Sequence, residues 1–278
     1  MSDRAQEPHS ILETALQRFA PSLVKHFGPK PRDWARIEKK IIARMSRTEA
    51  ELAVHSSWQV ATTIWELVGL AHEGNQVERD FLRFIDGLAD KLAQVTPPEL
   101  LPSAREQFRN LFLDFSDTES SYLDKVGELA ATHYFLACTG ARPLGFEVKV
   151  IPGRENTFDL LVQLGDGSER PVEVLNVHFK DGLLSDEAGL HTFLDGRVEQ
   201  KVCKKTGKGL DAGIPPFELL LVLWCNIEIL RQFAEAIMSR AHGFELPACA
   251  LIQLRDENGR KGWDFGSVAK FARRPGFV

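Results

Sequence analysis

The stretch TFDLLVQLGDGSERPVEVLNV, residues 157–177, decides the fold, because it holds two apolar runs joined by a turn sequence. The runs FDLLVQL and PVEVLNVHF have the composition of strands, and the Gly-Asp-Gly between them favours a tight hairpin turn. Each run carries one carboxylate, Asp159 in the first and Glu173 in the second. A tight hairpin places these two acids nearly opposite each other, with Cβ atoms about 4.5–5.5 Å apart.

The placement of two acids opposite each other, on strands that otherwise have a core composition, needs a physical reason. Like charges repel across a hairpin, and an unpaired buried carboxylate costs several kcal/mol. Either Asp159 and Glu173 face solvent on a half-exposed sheet, or they share a task that requires negative charge in one place. A divalent cation would serve that task, since Mg²⁺ is held by one or two carboxylates with water and substrate phosphate completing its shell.

The chain on both sides of the hairpin predicts a layered fold. The part before about residue 140 reads as helices throughout, and FEVKVI (146–151) alternates like a strand. After the hairpin come a helix in GRVEQKVCKKTGKG (196–209), a buried strand in FELLLVLWC, a second helix and a last strand in ACALIQL. We therefore expect an α+β or α/β protein, with a helical domain over residues 1–117 and a mixed sheet flanked by helices over residues 118–278.

The composition of the chain indicates its cellular compartment and limits its binding partners. The chain has 278 residues, a formal net charge of −5 and four cysteines. None of the cysteines is paired at CxxC spacing, which is typical of reduced thiols. The longest unbroken apolar run is far too short to span a bilayer. We expect a cytoplasmic protein with no membrane partner. The acidic balance disfavours a nucleic-acid binder that uses its whole surface, yet it allows a local basic patch.

Residues 120–255 resemble the PD-(D/E)xK, or restriction-endonuclease-like, nuclease superfamily. The resemblance lies in the order of elements and in three acids: Asp159 on the second strand, Glu173 on the third and Glu128 in the helix VGELAATHYF before the sheet. It implies a nuclease that hydrolyses phosphodiester bonds in DNA and uses Mg²⁺ or Mn²⁺. It also implies that Asp159 and Glu173 hold the metal and that Glu128 assists. Many nucleases of this kind act as dimers, but the sequence leaves the oligomeric state open, with a homodimer or a protein partner as the alternatives for the N-terminal helices.

The chain departs from the superfamily pattern at one position. The pattern places a lysine two residues after Glu173, where this chain has Leu175. In some branches of the superfamily the lysine comes from the following helix, and Lys201 is the residue that matches here. It shares one predicted helical face with four further cations that we expect to contact nucleic-acid phosphates: Arg197, Lys204, Lys205 and Lys208.

Two other functions are compatible with the same residues. Leu175 at the lysine position is what a nuclease-like module would have after losing catalysis and keeping a role in binding or regulation. The basic face is equally compatible with an ordinary solvated helix surface. The N-terminal helices could instead carry the function as a surface for a protein partner, which predicts an apolar patch on them.

Overall fold

The structure, a computed structural model, describes residues 11–45, 63–115, 121–150, 156–179, 186–207, 217–239, 249–255 and 261–273. Within these ranges the α-helices are α1 (Ile11–Phe19), α2 (Pro21–Phe27), α3 (Pro31–Met45), α4 (Ile64–His72), α5 (Gln76–Val95), α6 (Leu101–Phe108), α7 (Asn110–Leu113), α8 (Ser121–Thr139), α9 (Glu187–Thr206), α10 (Ile227–Ser239) and α11 (Val268–Ala272). The strands are β1 (Arg142–Val148), β2 (Phe158–Gln163), β3 (Glu169–His178), β4 (Glu218–Asn226), β5 (Cys249–Arg255) and β6 (Lys261–Ser267). The prediction of a mixed α/β protein with its helices first is confirmed.

The strands form one mixed sheet whose spatial order follows the chain, from β1 to β6. β1, β2 and β3 make an antiparallel meander, β3, β4 and β5 run parallel, and β6 returns antiparallel to β5. Parallel neighbours need a crossover of about a dozen residues or more. The helices α9 and α10 provide these crossovers, which is why helical and strand patterns alternate in this half of the sequence.

The turn between β2 and β3 is as tight as its sequence predicts. The Leu164 N–H donates to the Ser168 carbonyl at 2.8 Å. Gly167 has a φ of 84°, a conformation that residues with a Cβ rarely adopt. The Asp166 side chain accepts hydrogen bonds from the N–H and the hydroxyl of Ser168. This turn fixes the register of the two strands that carry the acids.

Two apolar cores cover the two faces of the sheet. The first core joins the N-terminal helices and α8 to one face, and the second joins α9, α10 and α11 to the other. Alternate residues of β3 enter different cores, Val172 and Val174 the first, Leu175 and Val177 the second, as the two-residue period of a strand requires. The molecule therefore has a helical layer, a sheet and a second helical layer.

The N-terminal helices and the sheet share the first core. Phe81 of α5 packs against Trp263 of β6 with ring centroids 4.2 Å apart. The predicted boundary between residues 117 and 118 lies within 116–120, outside the described residues. The helical region thus forms one layer of the fold, and its packing on the sheet is continuous with that of α8.

Two predicted elements begin elsewhere than the sequence suggested. β1 starts at Arg142, four residues before the predicted 146, and contains Pro143 and Gly145 with a shift in register between them. An edge strand tolerates both residues, because it needs hydrogen bonds on one side only. α9 starts at Glu187, where the Asp186 side chain accepts from the Gly189 N–H at 2.7 Å. Its predicted glycine stop is confirmed, since Gly207 has a φ of 74°.

No helix in the described ranges combines the length and the apolar character needed to cross a membrane.

Candidate active site

Asp159 and Glu173 are both buried, with exposed fractions of 8% and 1%. Leu160 of β2 pairs with Val172 of β3, so the same register continued by one residue sets Asp159 directly opposite Glu173. One oxygen of Asp159, Oδ2, accepts the Val174 N–H at 2.7 Å. The alternative that the two acids face solvent on a half-exposed sheet is therefore wrong.

Two lysines of α9 reach Glu173 from the second helical layer. The Lys201 Nζ lies 2.6 Å from Oε1 of Glu173, and the Lys205 Nζ lies 2.8 Å from Oε2. The two lysines are four residues apart and therefore share one face of the helix. Lys205 also donates to the Thr157 carbonyl. Lys201 is thus placed at the acid that the sequence suggested, with Lys205 beside it.

Glu128 joins the cluster from α8 on the other face of the sheet. The Lys125 Nζ lies 2.6 Å from its Oε2 and 3.8 Å from Oε1 of Glu147 on β1. Oε2 of Glu147 accepts from the Thr157 hydroxyl at 2.7 Å. Glu147 has a φ of 53°, a left-handed conformation that costs energy for a residue with a side chain. The sequence analysis missed Lys125 and Glu147, although the i, i+3 spacing of Lys125 and Glu128 was a visible signal.

The electrostatics of the cluster follow from burial. Burial raises the pKa of Asp159 to about 8, and the negative charges of Glu128 and Glu173 add to the effect. Burial also raises the pKa of Glu128, against the attraction of Lys125. For Lys201 burial alone would lower the pKa, but the surrounding carboxylates outweigh it and raise the pKa. At neutral pH the Lys201 ammonium stays charged, and Asp159 holds a proton unless another cation takes its place.

A cavity opens beside this cluster at the second half of β3. The β2 ladder ends at Val172, whereas β4 pairs with β3 as far as His178. Over the described residues the later part of β3 has no strand on its β2 side, and α8 and α9 approach that edge from opposite faces. The space between them measures about 270 Å³. It is lined by Asp124, Glu128, Val174, Leu175, Asn176, Arg197, Gln200, Lys201 and Lys204.

A hydrogen-bonded network fixes the α8 wall of this cavity. The His178 Nε2 lies 2.8 Å from Oδ1 of Asp124, and the His178 ring stacks on Trp224 with centroids 5.2 Å apart. Asn176 donates to the Asp124 carbonyl at 3.0 Å and accepts from the Trp224 Nε1 at 2.9 Å. A Cβ on Gly127 would lie 1.8 Å from Oδ1 of Asn176, so only glycine allows this approach. Sequence reasoning gave these residues no role, although Asn176 and His178 are polar at alternate positions of an apolar strand.

The cations predicted to contact nucleic acid have different positions. Arg197 and Lys204 are exposed and line the cavity. Lys205, which was predicted to contact a phosphate, is only 9% exposed and is paired with Glu173. Lys208 lies outside the described residues. The helix turns Lys205 inward because it continues the buried stripe that includes Val202.

The donor set fits a hydrated divalent cation better than an all-protein cage. Asp159 and Glu173 supply two neighbouring carboxylates, which is the number that Mg²⁺ commonly takes from a protein. Among the described residues no group of three or more His, Cys, Asp and Glu side chains has the geometry to hold a metal. Any ion here would complete its shell with water or substrate oxygens, and Lys201 and Lys205 would share Glu173 with it.

Leu175 occupies the position where the superfamily pattern has its lysine. It is 6% exposed and belongs to the second core. Comparison with known proteins finds no matching family model, no matching curated protein and no matching solved structure.

Proposed function

We propose that the chain is a Mg²⁺-dependent nuclease of the PD-(D/E)xK type that hydrolyses phosphodiester bonds in DNA. The observation that carries this proposal is the position of the Lys201 ammonium, 2.6 Å from Glu173 and at the wall of the cavity. It supplies from α9 the cation that Leu175 cannot supply from β3. The order of α8, three antiparallel strands, α9 and a parallel strand supports the same assignment.

Each residue of the cluster has a role in this proposal. Asp159 and Glu173 hold Mg²⁺ or Mn²⁺, which when bound would polarise a phosphate and lower the pKa of an attacking water. Lys201 stabilises the negative charge that develops on the phosphate oxygens. Lys205 fixes the orientation of the Glu173 carboxylate from its second oxygen. Glu128 assists as a nearby acid whose raised pKa suits it to take up a proton.

The binding surfaces are part of the same proposal. Arg197 and Lys204 would each contact one DNA phosphate and release its counterions. The N-terminal helices would provide a contact for a homodimer or a protein partner. Support for that contact is limited to α3, where Ile42 is 66% exposed, the highest value among the large apolar residues that the structure describes.

A second candidate function has its own support. Both oxygens of Glu173 already face lysine ammonium groups, and Glu173 is almost fully buried. A cluster whose charges are paired in this way can hold α9 against the sheet without any metal. On this alternative the chain is a nuclease-like module without catalysis that acts in nucleic-acid or protein binding and regulation.

The two functions differ in cleavage. The purified full chain is incubated with supercoiled plasmid, linear duplex and single-stranded DNA in EDTA, Mg²⁺ or Mn²⁺. The test variants are Asp159→Asn, Glu173→Gln and Lys201→Met. The controls are Glu169→Gln, an exposed acid at the start of β3, and Lys39→Met, an exposed lysine on α3.

We expect metal-dependent cutting that falls about 100-fold or more in each test variant, the size of effect seen when one charge-stabilising group is removed. The controls should cut like the wild type. If no substrate is cut with either metal, or if all three test variants cut at the wild-type rate, the nuclease assignment is wrong and the binding module takes its place.

A further inference from the structure

We infer that the cavity between α8 and α9 binds one unpaired nucleotide, with a phosphate against α9 and the base against Asp124, so that the preferred substrate is single-stranded DNA. The inference rests on the proposed function, since it names the substrate class of the same site. Its support comes from three walls of different chemistry, which together dictate how a nucleotide must lie.

The α9 wall is cationic. Arg197, Lys201 and Lys204 stand at positions i, i+4 and i+7 and line the cavity together with Gln200. Lys201 is engaged with Glu173. In the part of the chain that the structure describes, neither Arg197 nor Lys204 forms an ion pair, and both are exposed. Cations that converge on a cavity without a carboxylate partner match a phosphate, which an arginine can bind through two parallel hydrogen bonds.

The floor of the cavity is the open edge of β3, and it offers a backbone donor. The Val174 N–H points towards β2, because it donates to Asp159. N–H groups alternate in direction along a strand, so the Asn176 N–H points to the same side. β2 has ended at that point, and no described strand pairs with Asn176 there. Asn176 lines the cavity, so an oxygen of a bound ligand would accept from this N–H.

The α8 wall is anionic and rigid. His178 holds Oδ1 of Asp124 at 2.8 Å, and Asn176 holds the Asp124 backbone carbonyl at 3.0 Å. The structure describes no donor to the other carboxylate oxygen, Oδ2. A carboxylate repels phosphate and accepts from the amino and imino groups of a base, so this wall orients the base towards α8. In a duplex the donors on the pairing edge of a base are already used, whereas an unpaired nucleotide offers them freely.

The size of the cavity agrees with one nucleotide. Its volume of about 270 Å³ lies just below the range of about 300–1,000 Å³ for small-molecule pockets. A duplex, whose bases are stacked and paired, cannot place a base inside such a space without extruding it. The walls and the volume together favour a single strand over a duplex.

The test measures binding without metal, so that it does not depend on cleavage. A fluorescein-labelled 12-nucleotide DNA strand of mixed sequence and its duplex are titrated with the full chain in EDTA at several salt concentrations, and anisotropy is recorded. The same titration with an RNA strand of the same sequence shows whether the cavity prefers deoxyribonucleotides or ribonucleotides. The variants are Asp124→Asn and the double variant Arg197→Ala/Lys204→Ala, with Lys39→Met as the control.

We expect the single strand to bind at least tenfold more tightly than the duplex. Asp124→Asn should weaken single-strand binding about tenfold, the lower end for a hydrogen bond to a charged group. The double variant, whose changes are exposed and should leave the fold intact, should reduce the slope of log K against log salt by about 1.4, or roughly 0.7 per phosphate contact on a single strand. The control should match the wild type.

Equal binding of single strand and duplex, or binding that both variants leave unchanged, overturns the inference even if the chain cuts DNA. If the chain binds single strands selectively but cuts no DNA in Mg²⁺ or Mn²⁺, the inference about the cavity is supported and the proposed nuclease activity is refuted. A melting curve of each variant excludes loss of folding as the cause of weaker binding.

Discussion

Replacing Asp159 by asparagine should stabilise the protein at neutral pH while it removes a proposed metal ligand. The pKa of Asp159 is raised from 3.8 to about 8, first by burial and then by the charges of Glu128 and Glu173. The unfolded chain releases this proton near pH 4, whereas the folded chain keeps it until about pH 8. The folded state therefore binds the extra proton, and stability falls by about 1.36 kcal/mol per pH unit as pH rises through this window.

The magnitude at pH 7 follows from the distance to the unfolded pKa. About three pH units correspond to about 4 kcal/mol of lost stability in the wild type. Asparagine needs no proton and keeps an oxygen for the Val174 N–H. Its amide N–H groups lose water on burial, which costs about 1–2 kcal/mol. We expect a net gain of about 2–3 kcal/mol at pH 7 and almost none at pH 5, where the loss of wild-type stability that is linked to this proton is only about 1–2 kcal/mol.

Urea unfolding at pH 5, 6, 7 and 8, followed by tryptophan fluorescence, measures this difference directly. The control is Glu169→Gln on the same hairpin, which is exposed and should show no comparable gain that grows with pH. The reasoning is refuted if Asp159→Asn is less stable than the wild type at pH 7, or if its advantage does not increase between pH 5 and pH 8. A variant that gains stability and loses cleavage would show that Asp159 is kept for function at a cost to the fold.

Three further outcomes follow from the same contacts. Lys205→Met should destabilise the protein by about 3 kcal/mol, since it leaves one oxygen of buried Glu173 without a cation, and the double change with Glu173→Gln should recover part of the loss in urea unfolding. Gly127→Ala should cost about 1–3 kcal/mol, because its methyl group displaces the Asn176 amide, and thermal melting will record the loss. Mg²⁺ at about 100 times its dissociation constant should stabilise the wild type by about 2.7 kcal/mol and Asp159→Asn by much less, as a metal titration of the melting temperature will show.

The hairpin was predictable because its information is local. The turn sequence sets the loop length, the loop length sets the register, and the register places Asp159 opposite Glu173. Burial of both acids was open at the sequence level, since it depends on the helical layers that cover the sheet. The start of β1 was predicted wrongly for a related reason. Pro143 and Gly145 look like strand breakers until the strand is known to be at the edge.

For the lysines of α9, helical spacing predicted a shared face but not which side chains are buried. The spacing put all the cations near one face, but it could not say which of them turn inward. The buried stripe of the helix runs through Val198 and Val202. Lys201 and Lys205 each stand three residues after one of these valines, so both lie beside the stripe, whereas Lys204 lies outside it. A lysine at the margin of a buried stripe needs a carboxylate partner, and that rule would have singled out Lys205 as well as Lys201.

The wall around Asp124 was beyond sequence reasoning, because its contacts are distant in the chain. Asp124 and His178 are separated by 54 residues, and Asn176 and Trp224 by 48. The pairing of β3 with β4 brings Asn176 near Trp224. The stacking of α8 on the sheet brings Asp124 to them, and that stacking depends on a glycine at position 127. A lone glycine inside a helix is a weak signal by itself, although it often marks a close approach.

Charge balance connects the buried cluster to its proposed chemistry. Four carboxylates (Glu128, Glu147, Asp159 and Glu173) face three lysine ammonium groups (Lys125, Lys201 and Lys205), so the cluster is one positive charge short. A proton on Asp159 makes up the difference, and the excess negative charge adds to burial, which is the main cause of its raised pKa. A divalent cation in place of that proton would leave the cluster with one positive charge in excess. A phosphodiester group carries one negative charge, so metal and substrate together would restore neutrality. A cluster that served the fold alone would gain nothing from this deficit, so the deficit favours the proposed catalytic role over a purely structural one.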